Sequence, residues 1–207
     1  ELGEIVYENF NAAAAEIRFT GVTAHPMSAK GVLVNPLLMA TDFISHFDRR
    51  QTPECTEGRE GYIWFNGIQA GQNEAILKAN IRDFDKDGFA ARKQHIADVA
   101  AQIAAQHPTA NVEYRIEDTY SNISNAIGED RRAIDLMFEA MESLGITPKP
   151  IPMRGGTDGA ALSAKGLLTP NFFTGAHNFH SKFEFLPLSS FEASYNTALQ
   201  LCLLAAR

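Results

Sequence analysis

Between Ala12 and Thr20 apolar and polar side chains alternate: Ala13, Ala15, Ile17 and Phe19 fall on one side, Glu16, Arg18 and Thr20 on the other. A period of two marks a strand buried on one face. Residues 21–31 read as a loop carrying His25-Pro26. Asn35-Pro36 supplies an N-cap and a proline at the first helical position, and Leu37, Leu38, Thr41, Ile44 and His46 or Phe47 recur at helical spacing to about Arg50. After a polar stretch over 51–61, two strand-like runs at 62–68 and 75–84, joined by Gly71-Gln72-Asn73, predict a hairpin. A second helix is predicted over 87–106 with Phe89, Lys93, Ile96, Val99 and Ile103 as its stripe. Val112, Tyr114 and Ile116 then alternate with Glu113, Arg115 and Glu117 in a fourth strand. The order β-α-β-β-α-β is that of the split βαβ, ferredoxin-like sandwich, so residues 11–119 predict a complete small α+β domain.

The pattern changes after residue 120. It predicts a helix over 130–144, a strand over 149–153, a Gly-rich turn entering a short helix that Gly166 ends, a strand over 171–173 and a last helix over 190–207. This is α/β material with too few strands to close a sheet. It wants more chain, which must come from before residue 1. The lack of an initiator Met adds to the reading that the chain is the C-terminal half of a longer protein.

Composition removes several classes of function. The hydrophobic share of 45% suffices for a large core or two small ones. A net charge of −7 argues against nucleic acid, whose phosphates call for a basic stripe. The absence of an 18-residue apolar run argues against a membrane span. Cys55 and Cys202 stand far apart and form neither a disulfide framework nor a zinc knuckle. The expectation is a soluble, cytoplasmic protein.

Candidate chemistry lies in four places. Arg154-Gly155-Gly156-Thr157-Asp158-Gly159 follows a predicted strand and precedes a helix, where Thr157 or Asp158 can cap and Arg154 can hold a carboxylate through two parallel hydrogen bonds. An ordinary strand-to-helix turn with a surface Arg fits the same residues. Gly175-Ala176-His177-Asn178-Phe179-His180 is a loop at a strand end, where α/β proteins place their sites, and a neutral imidazole there suits Zn²⁺. His177 reads as a hydrogen-bonded loop histidine, while His180 is open between that and a ligand. His25 can donate to a substrate oxyanion or simply be solvated. Arg82 shares a polar strand face with Lys78 and Asn80, either a solvated surface or an anion-binding one. Asp83, Asp85 and Asp87 read as a strand end and helix cap, lacking the Gly and Glu of a calcium loop.

Tyr7-Glu8-Asn9-Phe10-Asn11-Ala12, His25-Pro26, Ala29-Lys30-Gly31, Ile81-Arg82-Asp83-Phe84-Asp85, Arg154 to Ala160 and Asn178-Phe179-His180 occur in the order and approximate spacing of one family. The chain resembles the peptidase T family, tripeptide aminopeptidases within the dinuclear-zinc peptidases that also include carboxypeptidases and desuccinylases. The resemblance implies a lid domain at 11–119 inserted into a catalytic α/β domain. It implies that His180 is a zinc ligand, that His25 polarises the scissile carbonyl, and that Arg82 and Arg154 grip the substrate backbone or its C-terminal carboxylate. It further implies two zinc ions in the full-length parent and short peptides as substrates, while the edge strands of the lid could pair with a copy of itself in a homodimer. Phe183 departs from the family, which commonly has a second His there, and Met27 stands where relatives often have Gly. One His cannot hold two zinc ions, so this chain alone is expected to be inactive. Two other readings stay open: another acyl-amide hydrolase of the family, and a non-catalytic dimerisation module.

Overall fold

A computed structural model describes residues 1–207. The chain divides into two compact units, residues 10–120 and residues 1–9 with 121–207.

The unit of 10–120 contains strands β2 (Asn11–Thr20), β3 (Tyr62–Ala70), β4 (Glu74–Asp83) and β5 (Asn111–Tyr120), and helices α1 (Pro36–Ser45) and α2 (Lys86–Gln106). Strand β1 lies upstream, in the other unit. The four strands form one sheet in the order β3-β4-β2-β5, every neighbouring pair antiparallel. This is the ferredoxin-like sandwich that the period-two runs predict. Ala13, Ala15, Ile17 and Phe19 of β2 meet Ala75, Leu77, Ala79 and Ile81 of β4 on one face, and both helices cover that face with Met39, Phe43, Ile96, Val99 and Ile103. Asn35 caps α1 through its side chain at Leu37 N, 3.0 Å, and Asp85 caps α2 at Gly88 N, 2.7 Å.

Three expectations need correction here. Helix α1 stops at Ser45 rather than near Arg50. Its expected stripe holds only in part: Ile44 and Phe47 pack against the core, but Met39, Ala40 and Phe43 are the buried side chains, while Leu37 and Leu38 stay exposed. Hydrophobic spacing does not separate Leu37 and Leu38 from Met39 and Phe43, which are equally apolar, and it is Phe43 whose ring meets Phe19, Phe47 and Phe65. Lys93 does not join the buried stripe of α2. Its ammonium lies 4.4 Å over the Phe89 ring and bonds Asp118 of β5 at 2.9 Å.

In the second unit β1 (Glu4–Val6) lies between β6 (Lys149–Pro150, parallel) and β7 (Asn171–Phe172, antiparallel). Strand β1 has no counterpart in the sequence reading, because three residues carry no periodicity. Helix α3 (Arg132–Ser143) turns Ile134, Met137 and Met141 inward, and α5 (Leu188–Ala205) packs beside it. Helix α4 (Asp158–Ala164) ends at Lys165, after which Gly166 takes φ +93°. Its Gly159 cannot carry a side chain, since a Cβ would stand 2.3 Å from the Thr169 carbonyl oxygen.

Candidate functional site

Of the four candidate residues, His25 and Arg82 belong to the unit of 10–120, and Arg154 and His180 to the other.

His25 stands on the loop between β2 and α1, whose base is clamped by the paired hydrogen bonds of Val22 and Val34, 3.0 and 2.9 Å. Its own Nδ1 accepts from Met27 N at 3.2 Å, capping the turn that follows. An accepting Nδ1 leaves the proton of a neutral ring on Nε2. The exposed imidazole therefore offers an outward N–H donor.

Arg82 lies on the sheet face opposite the helices, at the end of β4 that pairs with Ala12. Its Nη1 donates to the carbonyls of Ala13 and Ile81 at 3.2 and 2.9 Å, where the register of β2 against β5 shifts. The guanidinium sits 5.4 Å over the Tyr120 ring. Burial pushes the Tyr120 phenol up, and the Arg82 charge opposes that rise. Arg82 is thus a structural staple as well as a cation. His25 leaves the opposite end of the same sheet, past Thr20, so roughly 26 Å of strand separates the two at about 3.3 Å per residue. The fold does not bring them together.

Arg154 is half-buried and follows Met153, whose N–H donates to Glu8 O at 2.9 Å in a bridge to the chain's first segment. Thr157, rather than Asp158, caps α4: its hydroxyl accepts from Ala160 N and from Asn171 Nδ2, each at 3.2 Å.

His180 is exposed at the tip of a tight loop closed by two hydrogen bonds between His177 and Phe185, 2.9 and 3.2 Å. It adopts φ +63° and Asn178 φ +56°, the left-handed region that a non-glycine residue enters at a cost of about 1–3 kcal/mol. The Glu184 carboxylate accepts the His180 N–H at 3.0 Å and holds that conformation. His177 does not use its ring as a hydrogen-bonding loop histidine. The ring stacks on Phe185, centroids 5.1 Å apart. Nowhere in the chain do three His, Cys, Asp or Glu side chains converge as a metal site would require.

Two buried asparagines were not singled out by the sequence reading, although both lie in the Glu8-Asn9-Phe10-Asn11 run. Asn9 accepts from Ile123 N at 2.7 Å through Oδ1, and its own N–H donates to Asn122 Oδ1 at 2.9 Å. This reciprocal pair ties together the two strands of chain that leave the second unit. Asn11 Nδ2 donates to the carbonyls of Asp83 and Phe84 at 3.2 and 3.0 Å, fixing the end of β4. A cavity of about 460 Å³ opens between the end of α1 and the start of α2, walled by Phe47, Phe65, Gln51, Arg92 and His95. None of the four candidates lines it.

A ferredoxin-like unit is thus set, in chain order, between two segments of an α/β unit. A family model described as the peptidase dimerisation domain matches residues 7–111, and the chain belongs to that family. It is 64% identical over its whole length to a peptidase T-like protein of Yersinia pestis and 43% identical over 97% of its length to peptidase T of Aeromonas hydrophila. It spans about half of each, 50% and 49%. Among solved structures, a tripeptidase of Staphylococcus aureus superposes with a TM-score of 0.81 at 20% identity, over 97% of this chain and 53% of that one. A dinuclear metal-binding peptidase of the M20 family from Bacillus subtilis gives 0.72 at 18% identity, over 99% and 53%. These two likenesses show the fold.

Proposed function

We propose that the chain is the lid and part of the catalytic domain of a metal-dependent tripeptide aminopeptidase acting in the cytoplasm on short peptides. The observation that carries this is the 43% identity to peptidase T across nearly the whole chain, in both units and not only in the lid. Two exposed, unpaired cysteines fit a reducing compartment.

The residues take separate roles in this reading. His180 is one metal ligand, presented outward by a strained loop that Glu184 holds in place. A zinc pair needs further donors, which this chain does not assemble. Arg154 receives the peptide's backbone or C-terminal carboxylate. Arg82 has guanidinium N–H groups besides those of Nη1, which hold the Ala13 and Ile81 carbonyls, and through them is a second candidate for binding the peptide's backbone or carboxylate. His25 donates its Nε2–H to the carbonyl oxygen of the scissile bond as negative charge builds there.

The separation of His25 from Arg82 favours a homodimer within this reading. A tripeptide extends over roughly 10 Å, so one lid cannot place both residues on one substrate. A second copy, docked through its lid, would supply the His25 that the first cannot. The exposed Val32, Leu33, Leu37 and Leu38 beside that loop, and the edge strand β3, offer a surface for it.

The test exchanges the matching half of the Yersinia relative for this chain and assays the resulting chimera on tripeptides with free and acetylated N-termini. Cleavage of the free peptide alone, abolished by a chelator and by His180→Ala, is the expected result. Equal cleavage of the acetylated peptide would move the assignment to another acyl-amide hydrolase, and indifference to chelator would end it.

A further inference from the structure

The cavity at the end of α1 lies wholly within the unit of 10–120. It opens where the helix stops at Ser45, between β3 and the first turns of α2. Its apolar walls are braced. The Phe47 ring meets Phe65 edge-on at 4.9 Å and the His95 ring at 4.7 Å, and both phenylalanines also touch Phe43 of the core. Ile63 and Ala91 continue the lining. Rings held from several sides form a pocket before any ligand arrives, and 460 Å³ falls among small-molecule sites, about 300–1,000 Å³.

The polar groups at this cavity are engaged unevenly. Two carboxylates line it, and each is already paired with a guanidinium. Asp48 accepts from Arg50 Nε and Nη2 at 3.1 and 2.9 Å, and Asp83 accepts from Arg92 Nε at 2.8 Å and from Asp85 N at 3.1 Å. The donors are not all used. Arg92 is fixed by Nε on Asp83 and by Nη1 on Gln51 Oε1, 2.6 Å, which leaves its Nη2 without a partner. The amide nitrogen of Gln51 donates to nothing, and Arg49, also lining the cavity, forms no ion pair. A cation would find no free carboxylate here, and a wholly apolar ligand would leave the donors unanswered. An oriented guanidinium beside an aromatic wall suits an anion that carries an apolar body.

We propose that this cavity binds a small monocarboxylate bearing one aromatic or branched aliphatic group. The apolar part lies against Phe47 and Phe65, and the carboxylate accepts from Arg92 Nη2 and the Gln51 amide. The site stands apart from the peptidase reading, since none of its residues carries a role there.

Methyl NMR of the 207-residue chain tests it with three probes that share one body. 3-Phenylpropionate should shift the Ile44 and Ile63 methyls saturably and leave those of Ile5 and Ile134, in the other unit, unmoved. 3-Phenyl-1-propanol and 3-phenylpropylammonium lack the anion and should bind at least about tenfold more weakly, the loss expected of one charge-assisted hydrogen bond. Ala91→Phe places a ring in the cavity from an exposed helical position and should abolish the shifts. Equal binding of the three probes, or tighter binding of the ammonium, overturns the proposal. So do 3-phenylpropionate shifts that persist in a folded Ala91→Phe, or shifts that show no saturation by about 10 mM. The probe series needs no variant and decides the matter alone should Ala91→Phe not fold.

Discussion

The two units of this chain have similar residue types and opposite degrees of closure. In residues 10–120 each strand of the helix-facing sheet side finds a helix, and Ile17, Phe19, Phe43, Leu77, Ile81, Ile96 and Ile103 are all but fully buried. In residues 1–9 with 121–207 only Ile5, Met137, Met141 and Phe173 form a buried cluster, and the longest helix shows a full apolar side to solvent. The difference lies in the sheets. Strands of nine or ten residues give two helices a floor, while strands of two or three do not. An inserted domain must close on itself, because the chain enters and leaves it at one end. A domain assembled from segments closes only when all its segments are present.

Equal truncations on the two sides should sharpen that contrast. Phe43→Ala removes a fully buried ring that touches Phe19, Phe47 and Phe65, and should cost about 3–5 kcal/mol in denaturant unfolding followed by Trp64, the single tryptophan, which lies on β3. Arg92→Ala leaves the buried Asp83 carboxylate without the guanidinium that bonds it at 2.8 Å. It should cost about 2–3 kcal/mol by the same probe, less than a fully buried pair because some solvent reaches Arg92. Asn9→Ala orphans Ile123 N and should cost about 1–3 kcal/mol, read as lost amide protection around 121–126, with the Trp64 transition little changed. Phe191→Ala deletes a ring of the same size as Phe43 from the exposed side of α5 and should change the stability of this chain by no more than about 0.5 kcal/mol. A loss near that of Phe43→Ala would mean that side is already covered.

The smallest effect is a titration. Two side-chain hydrogen bonds and one backbone hydrogen bond from Arg132 hold the Asp130 carboxyl at about 2, below its ordinary 3.8. The folded-state value is depressed, so whatever the pair contributes is present above the ordinary carboxylate range and is lost as pH falls through about 2. Carboxyl-carbon NMR should place the midpoint near 2 and return it toward 3.8 in Arg132→Ala. An unchanged midpoint would show that the pair is not formed.

How far the sequence speaks follows the same division. The period of two over 12–20 and 112–116 and the cap Asn35 are readable because long elements repeat their signal, and the sandwich follows from their order. The phase of α1 is only partly legible, since Leu37 and Leu38 are as apolar as Met39 and Phe43 yet stay exposed. Strand β1 was invisible at three residues. Among the candidate site residues, the chemistry of His25 and His180 could be named but not decided, because a lone imidazole has no spacing partner. The second apolar side of α5 looked like ordinary helix composition until the fold showed which side was covered. Asn9 and Asn11 carry no spacing signal of their own, yet they hold backbone at the points where the chain passes between units.

Native-state hydrogen exchange of the 207-residue chain tests the central claim most directly, that residues 10–120 are closed and the rest is open. Amides of Ile17, Leu77 and Ile81 should exchange only by global unfolding of their unit, while those of α5 and the short strands should exchange through far cheaper local opening. Protection of α5 equal to that of β2 and β4 would contradict it.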